Sequence, residues 1–125
     1  MTVLPISFTF IALCASSMIF FGAWIGPLRG KLGILRGDGG DPVLQKRIRI
    51  HGNFTEYAPL FALVLVAGEV VGASAMWLWV SVGSFFVGRV IHFIRYDHND
   101  RALGLLLTTA PALGLGIYVL IQLFG

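Results

Sequence analysis

Four residues able to bind a charged ligand open the second apolar segment of the chain. Arg49, His51, Asn53 and Glu56 stand directly before the apolar run at residues 58–68. On an α-helix Arg49, Asn53 and Glu56 are spaced i, i+4, i+7 and therefore share one stripe about 10 Å long. His51 points about 160° away from that stripe, towards another helix of the same chain or another subunit. Ionisable groups are costly where an apolar segment enters a membrane, so we expect them to pair, face a polar cavity or bind a ligand.

A second polar set closes a later apolar segment. Arg89, His92 and Tyr96 are spaced i, i+3, i+7, so a helix would bring them onto one stripe as well. Together the two sets offer guanidinium groups that bind carboxylates bidentately, and a carboxylate at Glu56 that can hold an ammonium group. This inventory suits a small zwitterion with more than one carboxylate. The alternative is a purely structural role, in which Glu56 forms an ion pair with Arg49 or Arg89 and no ligand binds.

The composition predicts an all-α integral membrane protein. The 125 residues are 57% hydrophobic and 12% charged, whereas soluble domains carry about 25% charged residues. At about 20 apolar residues per membrane span, four helices account for nearly the whole chain as a single domain. The predicted spans cover residues 5–28, 42–71, 74–96 and 101–124. The GDGGDP run before the second span is rich in turn-forming residues, and Asp41 is placed to cap the helix that Pro42 begins.

The charge pattern and the single cysteine exclude several classes of function. The formal net charge is +3, but the basic residues lie in loops and at helix ends, so no nucleic-acid partner is expected. Cys14 has no second cysteine to pair with, which excludes an internal disulfide and a CxxC-type redox enzyme. No metal site is predicted. No basic residue precedes the first apolar run, so we expect that run to be a retained span and not a cleaved signal peptide.

Lysine and arginine residues concentrate in two of the three connections between spans. Six of them lie between residues 29 and 49, and Arg95 and Arg101 flank the connection from span three to span four. Both ends of the chain and the turn at residues 72–74 lack basic residues, and Glu69 near the end of span two is expected to be an interfacial charge. The positive-inside rule therefore predicts that both charged loops are cytoplasmic and that both termini lie outside the cytoplasm.

These motifs resemble those of the MAPEG family, the membrane-associated proteins in eicosanoid and glutathione metabolism. The second span matches the family pattern R-x-(H/Q)-x-N-x-x-E-x-x-P at Arg49, His51, Asn53, Glu56 and Pro59. The GDGG loop and the later GRVIHFIRY segment fall where the family has its corresponding motifs, and the likeness covers essentially the whole chain. The form IRIHGN-x-x-EY-x-P is most similar to small bacterial members.

The resemblance implies a homotrimer of four-helix chains in a bacterial inner membrane, with glutathione bound between subunits near the cytoplasmic face. It implies that Arg101 stabilises the glutathione thiolate, with Tyr96 as a second catalytic residue. The residues implied to hold glutathione are Arg49, Asn53, Glu56 and Tyr57 from span two and His92 from span three, with His51 reaching the site, Arg89 supporting the charges and Arg29 contributed by the neighbouring subunit. Ala102 follows Arg101 where the prostaglandin-synthesising member has a serine, so a bacterial electrophile or peroxide suits the site better than an eicosanoid.

The favoured hypothesis is a glutathione transferase or peroxidase that activates the thiol with a guanidinium and takes a small apolar electrophile from the lipid bilayer. The main alternative is a non-catalytic glutathione-binding or structural protein of the same family, which the sequence does not separate from the enzyme. A small transporter is less favoured, because span one has no acidic residue and Glu56 lies beside arginines. A b-type haem protein would use His51 and His92 as axial ligands, since they lie at similar depth on different spans, but no further haem signal is present.

Overall fold

The chain folds into four α-helices joined by two short connections and one longer loop. The structure, a computed structural model, describes residues 3–99 and 101–125. α1 spans Pro5–Leu32, α2 Pro42–Val70, α3 Ala75–Ile94 and α4 Ala102–Phe124, and the described residues contain no β-strand. The prediction of an all-α fold is confirmed for these residues. By length and composition α1, α3 and α4 are able to cross a membrane.

Local capping explains where α2 and α3 begin. Asp41 accepts a hydrogen bond from the backbone N–H of Leu44 at 2.7 Å, and Pro42 is the first residue of α2, as the sequence predicts. Ser74 caps α3 in the same way, since its hydroxyl oxygen accepts from the backbone N–H of Trp77 at 3.3 Å. Each cap satisfies an N–H group that has no partner within the helix.

Two helix ends differ from the predicted spans. α1 continues beyond residue 28 and ends at Leu32. Gly33 caps it, with a left-handed φ of 68° that favours a residue without Cβ. α3 ends at Ile94 instead of residue 96. Tyr96 therefore lies in the turn that follows α3, and not on the helical stripe that its spacing predicts.

A carboxylate near the end of α2 caps the beginning of α1. Glu69 Oε1 accepts a hydrogen bond from the backbone N–H of Ile6 at 3.1 Å, and Oε2 accepts from that of Ser7 at 2.8 Å. Both N–H groups belong to the first turn of α1, where the helix itself offers no acceptor and where its dipole favours a negative charge. Glu69 is thus a structural cap, and not merely an interfacial charge. The contact also makes α1 and α2 antiparallel neighbours along the length of α1.

Aromatic rings from three helices fill the centre of the bundle. Phe10 of α1 is fully buried, and its ring centre lies 5.0 Å from those of Phe61 in α2 and Phe85 in α3. The rings of Phe61 and Phe85 are themselves 4.7 Å apart. Aromatic pairs at such distances contribute beyond the apolar area that they bury. α4 joins this core through Leu115, which is also fully buried.

Two glycines let α3 and α4 approach each other closely. A Cβ atom at Gly88 would lie 2.6 Å from Thr108 Oγ1 and 2.7 Å from the carbonyl oxygen of Gly104. A Cβ atom at Gly104 would in turn lie 2.9 Å from the carbonyl oxygen of Gly88. No side chain fits at these distances, so the two backbones meet where both residues lack one. The approach brings Thr108 and the Gly104 carbonyl beside residue 89.

The two basic connections lie at one end of the bundle. Lys46, near the beginning of α2, forms an ion pair with Asp97 in the connection between α3 and α4. The loop at residues 33–41 directly precedes α2, so it shares this end. The contact of Glu69 with the start of α1 lies at the opposite end. This arrangement agrees with the charge bias of the sequence, whereas the side of the membrane on which each end lies stays a prediction.

Removing the Glu69 carboxylate should destabilise the bundle. Glu69→Ala leaves two N–H groups in the first turn of α1 without their acceptor, and loss of a helix cap costs roughly 0.5–2 kcal/mol. We expect a lower melting temperature in detergent, with Glu69→Gln intermediate because an amide keeps one acceptor oxygen without the charge. Gln122→Ala, an exposed change in α4, is the control. Unfolding of Glu69→Ala at the wild-type temperature would contradict the capping role.

Candidate functional site

The site is organised around Arg89, a charged side chain buried inside an apolar bundle. Its exposed fraction is 9%. Nε and Nη2 donate to Thr108 Oγ1 at 3.0 and 2.8 Å, Nη2 also donates to the Gly104 carbonyl at 3.4 Å, and Nη1 donates to Asn53 Oδ1. Arg89 forms no ion pair with another described residue. Because a buried charge is strongly destabilising unless its hydration is replaced, these hydrogen bonds are what hold Arg89 in place.

Aromatic rings flank the same guanidinium group. Its central carbon lies 5.2 Å from the ring centre of Tyr57 and 5.9 Å from that of Phe85. A cation within about 6 Å of an aromatic ring is attracted to the electron-rich face. Tyr57 follows Asn53 by four residues on α2, so one face of that helix supplies both a hydrogen-bond acceptor and a ring to the buried cation.

A polar cavity with a volume of about 260 Å³ opens beside Arg89. It lies between α2, α3 and the beginning of α4, and its lining residues are Asn53, Tyr57, Arg89, His92, Arg101, Ala102 and Leu105. Of these seven residues, all except Ala102 and Leu105 were predicted from the sequence to form a site, so five predicted site residues meet here. Small-molecule sites usually measure roughly 300–1,000 Å³, so a single chain would enclose a tripeptide only in part.

Arg101 immediately precedes α4, and its side chain lines the cavity. Its guanidinium carbon lies 5.5 Å from the ring centre of Tyr96, and the rings of His92 and Tyr96 meet edge to face with centres 6.0 Å apart. Lys46 Nζ lies 5.5 Å from the same tyrosine ring. Tyr96 is thus held among three nitrogen-bearing side chains, adjacent to two residues of the cavity wall.

Arg49 and Glu56 lie on the exposed surface of the single chain, and neither lines the polar cavity. The suggested ion pairs of Glu56 with Arg49 or Arg89 are not formed between these residues. Asn53, which lies between them on the same stripe, is half-buried and bonds to Arg89 instead. The stripe predicted from spacing therefore forms an outward face of α2 from which Asn53 turns inward.

His51 and Arg29 make their contacts elsewhere in the chain. The His51 ring stacks on Phe21 of α1, with centres 4.9 Å apart and an angle of 25° between planes, so its neighbour is a helix of the same chain. Arg29 Nη1 donates to the carbonyl oxygens of Ile34 at 3.3 Å and Gly37 at 2.8 Å. Arg29 thereby stabilises the loop that follows α1. Neither His51 nor Arg29 lines the polar cavity of its own chain.

The less favoured alternatives gain no support from this geometry. Of the two histidines that haem ligation would require, His92 lines the cavity whereas His51 packs on α1. Among the residues that the structure describes, no acidic side chain lines the cavity. A proton-coupled transporter would need a titratable group of this kind within its pathway.

Sequence reasoning missed Thr108, the main partner of Arg89. This side chain is 1% exposed, and its hydroxyl donates to the Gly104 carbonyl at 2.8 Å while it accepts from the guanidinium. The available signal was a pair of threonines in the otherwise apolar run LLLTTAPALG, because a hydroxyl in a membrane helix must find a partner. Thr109 bonds back to the carbonyl of Leu105 in its own helix at 2.9 Å, so spacing alone could not tell which threonine faces α3.

Comparison with known proteins identifies the family. A sequence model of the MAPEG family matches residues 7–121. Two relatives, the inner membrane proteins YecN of Escherichia coli K12 and of Escherichia coli O6:H1, are each 30% identical to the chain over 94 residues, which is 75% of this chain and 72% of the relative. No solved structure matches the chain. The family resemblance of the sequence motifs is thereby confirmed, and the chain belongs to the MAPEG family.

Proposed function

We propose that this protein is a glutathione-dependent enzyme of the bacterial inner membrane, a transferase or peroxidase that acts on a small apolar electrophile. One observation carries the proposal: the polar cavity at one end of an apolar bundle, where Asn53, Tyr57, Arg89, His92 and Arg101 converge. The Escherichia coli relatives are named inner membrane proteins, which supports the location. Both the cavity and its apolar surroundings are needed by an enzyme that joins a water-soluble thiol to a lipid-soluble partner.

Glutathione fits the side chains of this cavity and its rim. It carries two carboxylates and an ammonium group, and when bound it supplies the nucleophilic sulfur. Arg49, on the outward stripe of α2 at the rim, can bind a carboxylate bidentately. Glu56, on the outward stripe of α2, is a carboxylate available to the ammonium group. Tyr57 and His92 complete the wall with a ring and an imidazole.

α2 is the fourth membrane span in this proposal. It begins after the loop at residues 33–41, and its Glu69 reaches the first turn of α1, so the two helices cover the same depth. Its 29 residues measure about 44 Å at about 1.5 Å per residue, close to the thickness of a bilayer with its headgroups. The cluster of charges near its beginning would then lie at the membrane surface. Charge bias places that end, with the cavity, in the cytoplasm, and both termini outside.

The active form in this proposal is a homotrimer. Arg49 and Glu56 are exposed on α2 of the single chain, and charged side chains facing lipid at this position would be unfavourable. A neighbouring subunit shields them and completes a cavity that one chain only partly encloses. The family resemblance makes the number of subunits three. Arg29, at the end of α1, is the side chain that a neighbour would bring towards the site.

Arg101 activates the thiol in the proposed mechanism. Its guanidinium remains positive at any working pH, and a nearby cation favours a thiolate over a thiol by Coulomb attraction, more strongly where water is excluded. Tyr96 lies in contact with Arg101, so its hydroxyl is available to donate a hydrogen bond to the same sulfur. Arg89, fixed by its hydrogen bonds to α2 and α4, adds a second positive charge to the cavity wall.

Asn53→Ala should weaken glutathione binding while trimer assembly stays normal. The change removes a polar wall residue and takes one acceptor from the buried Arg89. The Asn53 amide N–H groups are also lost as donors to a glutathione carboxylate. A hydrogen bond to a charged group contributes about 1.5–3 kcal/mol, so the affinity should fall by at least about ten-fold. Calorimetry on detergent-purified protein measures this. Thr55→Ala is the control, because that hydroxyl bonds to the Gly52 carbonyl of its own helix at 2.9 Å. Equal affinities of the two variants would reduce Asn53 to a packing residue.

Arg101→Ala should keep glutathione binding but lose most thiolate formation and turnover. The measurement is the ultraviolet absorbance of the thiolate against pH at saturating glutathione, for wild type and variant. Arg36→Ala is the control. It removes an exposed arginine from the loop between α1 and α2, so it shows what loss of a loop charge does to membrane insertion alone. Identical titration curves for all three proteins would remove Arg101 from the chemistry. Absence of any bound thiolate in the wild type, with glutathione still binding, would favour the non-catalytic binding protein.

Cross-linking in native membranes should give a ladder of products that ends at three chains. The outward charges of α2 predict this association, because lipid does not solvate them. Solubilisation in a denaturing detergent before cross-linking is the control and should leave single chains. A protein that is strictly monomeric in mild detergent, yet retains full glutathione affinity, would overturn the homotrimer.

A further inference from the structure

A second cavity, almost wholly apolar, adjoins Arg89. Its volume is about 290 Å³, and half of its lining residues are phenylalanines of α1, α2 and α3, namely Phe20, Phe21, Phe54, Phe86 and Phe93. Arg89 and His92 also line it, and the same two side chains line the polar cavity. Arg89 and His92 therefore form a wall that the two cavities share.

The apolar cavity opens through the side of the bundle. Its inner wall is buried, with Phe21 and Phe54 exposed by 8% and 5%, whereas the outer residues Phe20 and Val90 are exposed by 57% and 56%. These outer residues belong to α1 and α3, in segments apolar enough to lie within a membrane. A lateral opening among apolar side chains admits compounds dissolved in the hydrocarbon of the bilayer.

Aromatic contacts between α1 and α3 close this opening at both ends. On one side the rings of Phe10 and Phe86 have centres 5.6 Å apart, and on the other those of Trp24 and Phe93 have centres 5.2 Å apart. The cavity is therefore a bounded pocket and not a continuous groove along the bundle. Its volume lies at the lower end of the range of small-molecule sites, which favours a compact ligand over a long acyl chain.

Two side chains at the shared wall, Arg89 and His92, each have an N–H group or ring nitrogen without a hydrogen-bond partner among the described residues. A guanidinium carries five N–H groups, and the four hydrogen bonds of Arg89 leave one N–H of Nη1 without an acceptor among the described residues. His92 Nε2 is buried and has no hydrogen-bond partner in the described part of the chain. Buried polar atoms without partners are rare in native proteins. A ligand with an oxygen acceptor at this wall would satisfy them.

We infer that this pocket binds the electrophile of the proposed reaction, and that the electrophile is a compact aromatic α,β-unsaturated ketone or aldehyde; this rests on the proposed function. The ring packs among the phenylalanines, and the carbonyl oxygen accepts a hydrogen bond from Arg89 or His92. The alkene then lies at the junction of the two cavities, where the thiolate in the polar cavity reaches its β-carbon.

The reaction is an addition in which nothing is oxidised or reduced overall. The thiolate forms a C–S bond to the β-carbon, and the electron pair of the alkene moves to give an enolate whose oxygen carries the negative charge. Arg89 lies where it stabilises that charge, as donors preorganised at a developing oxyanion do. The α-carbon then takes up a proton equal to the one lost by the thiol, and the product is a thioether that retains the carbonyl.

Val90→Trp tests the pocket without altering the polar cavity, because Val90 lines only the apolar one at its exposed mouth. Val87→Trp is the matched control, since Val87 is similarly exposed on α3, at 51%, and lines neither cavity. The probes are benzylideneacetone as substrate, its saturated analogue benzylacetone as a non-reacting ligand, and butylbenzene, which has no carbonyl. Binding to protein in nanodiscs is measured for each variant without glutathione, and glutathione affinity is measured separately.

We expect Val90→Trp to weaken benzylacetone binding, and to raise the KM for benzylideneacetone, by at least about ten-fold, or about 1.4 kcal/mol. Glutathione affinity should stay at the wild-type value, and Val87→Trp should resemble wild type throughout. Butylbenzene should bind wild type about three- to ten-fold more weakly than benzylacetone, the effect of one hydrogen bond.

Three results would overturn the inference: equal benzylacetone binding by both tryptophan variants, equal affinity of wild type for butylbenzene and benzylacetone, or loss of cross-linked trimer in Val90→Trp alone. The last would mean that a second copy of the chain covers the mouth. Failure of the proposed function gives a different pattern, because wild type would then bind benzylacetone but not glutathione. Binding of glutathione without binding of benzylacetone would leave the proposed function standing and remove this pocket from it.

Discussion

The burial of one positive charge, that of Arg89, is the constraint on which the site depends. An apolar bundle offers a guanidinium no water, and each hydrogen bond to a charged group contributes roughly 1.5–3 kcal/mol. α2 supplies Asn53 as a hydrogen-bond acceptor, and α4 supplies Thr108 and the Gly104 carbonyl. A cation on α3 therefore determines how its two neighbours are positioned, and the polar cavity is the space that remains beside it.

Close packing of α3 and α4 is the condition for that solvation. Gly88 precedes Arg89 directly, and its contact with Gly104 brings the two backbones together. Any larger residue at either position would push α4 outward and take Thr108 beyond hydrogen-bonding distance of the guanidinium. The glycines thus act on the electrostatics of the site through geometry alone. Glu69 applies the same rule at the far end of the bundle, since its carboxylate finds its donors in the first turn of α1.

Much of the fold follows from local patterns, whereas the pairing of side chains does not. The apolar runs, Asp41 with Pro42, and Ser74 mark the helices to within a few residues, because capping and hydropathy act locally. Rotation of each helix about its axis is harder to predict, since membrane helices are apolar on nearly every face and leave little periodic signal. Spacing therefore places Arg49, Asn53 and Glu56 on one stripe of α2, but it does not show that Asn53 faces inward while the other two are exposed.

The same limit explains why the hydrogen bond between Asn53 and Arg89 and the role of Thr108 were not predicted. Arg89 bonds to Asn53 instead of Glu56, and to Thr108, which no motif marked. Tyr96 departed from its predicted stripe because α3 ends two residues earlier. Each of these outcomes depends on contacts between residues far apart in the sequence, which local spacing does not encode.

Neighbouring residues of α2 line different cavities, one the polar cavity and the next the apolar one. Asn53 and Tyr57, four residues apart, line the polar cavity, whereas Ile50 and Phe54, also four residues apart, line the apolar one. Consecutive residues on a helix point about 100° apart, so Asn53 and Phe54 face different spaces. Two adjacent rows of one helix thereby line two different cavities, which in the proposed function hold a water-soluble thiol and a lipid-soluble compound. On α3, Arg89 and His92 line both cavities, so the proposed reaction would take place beside this helix.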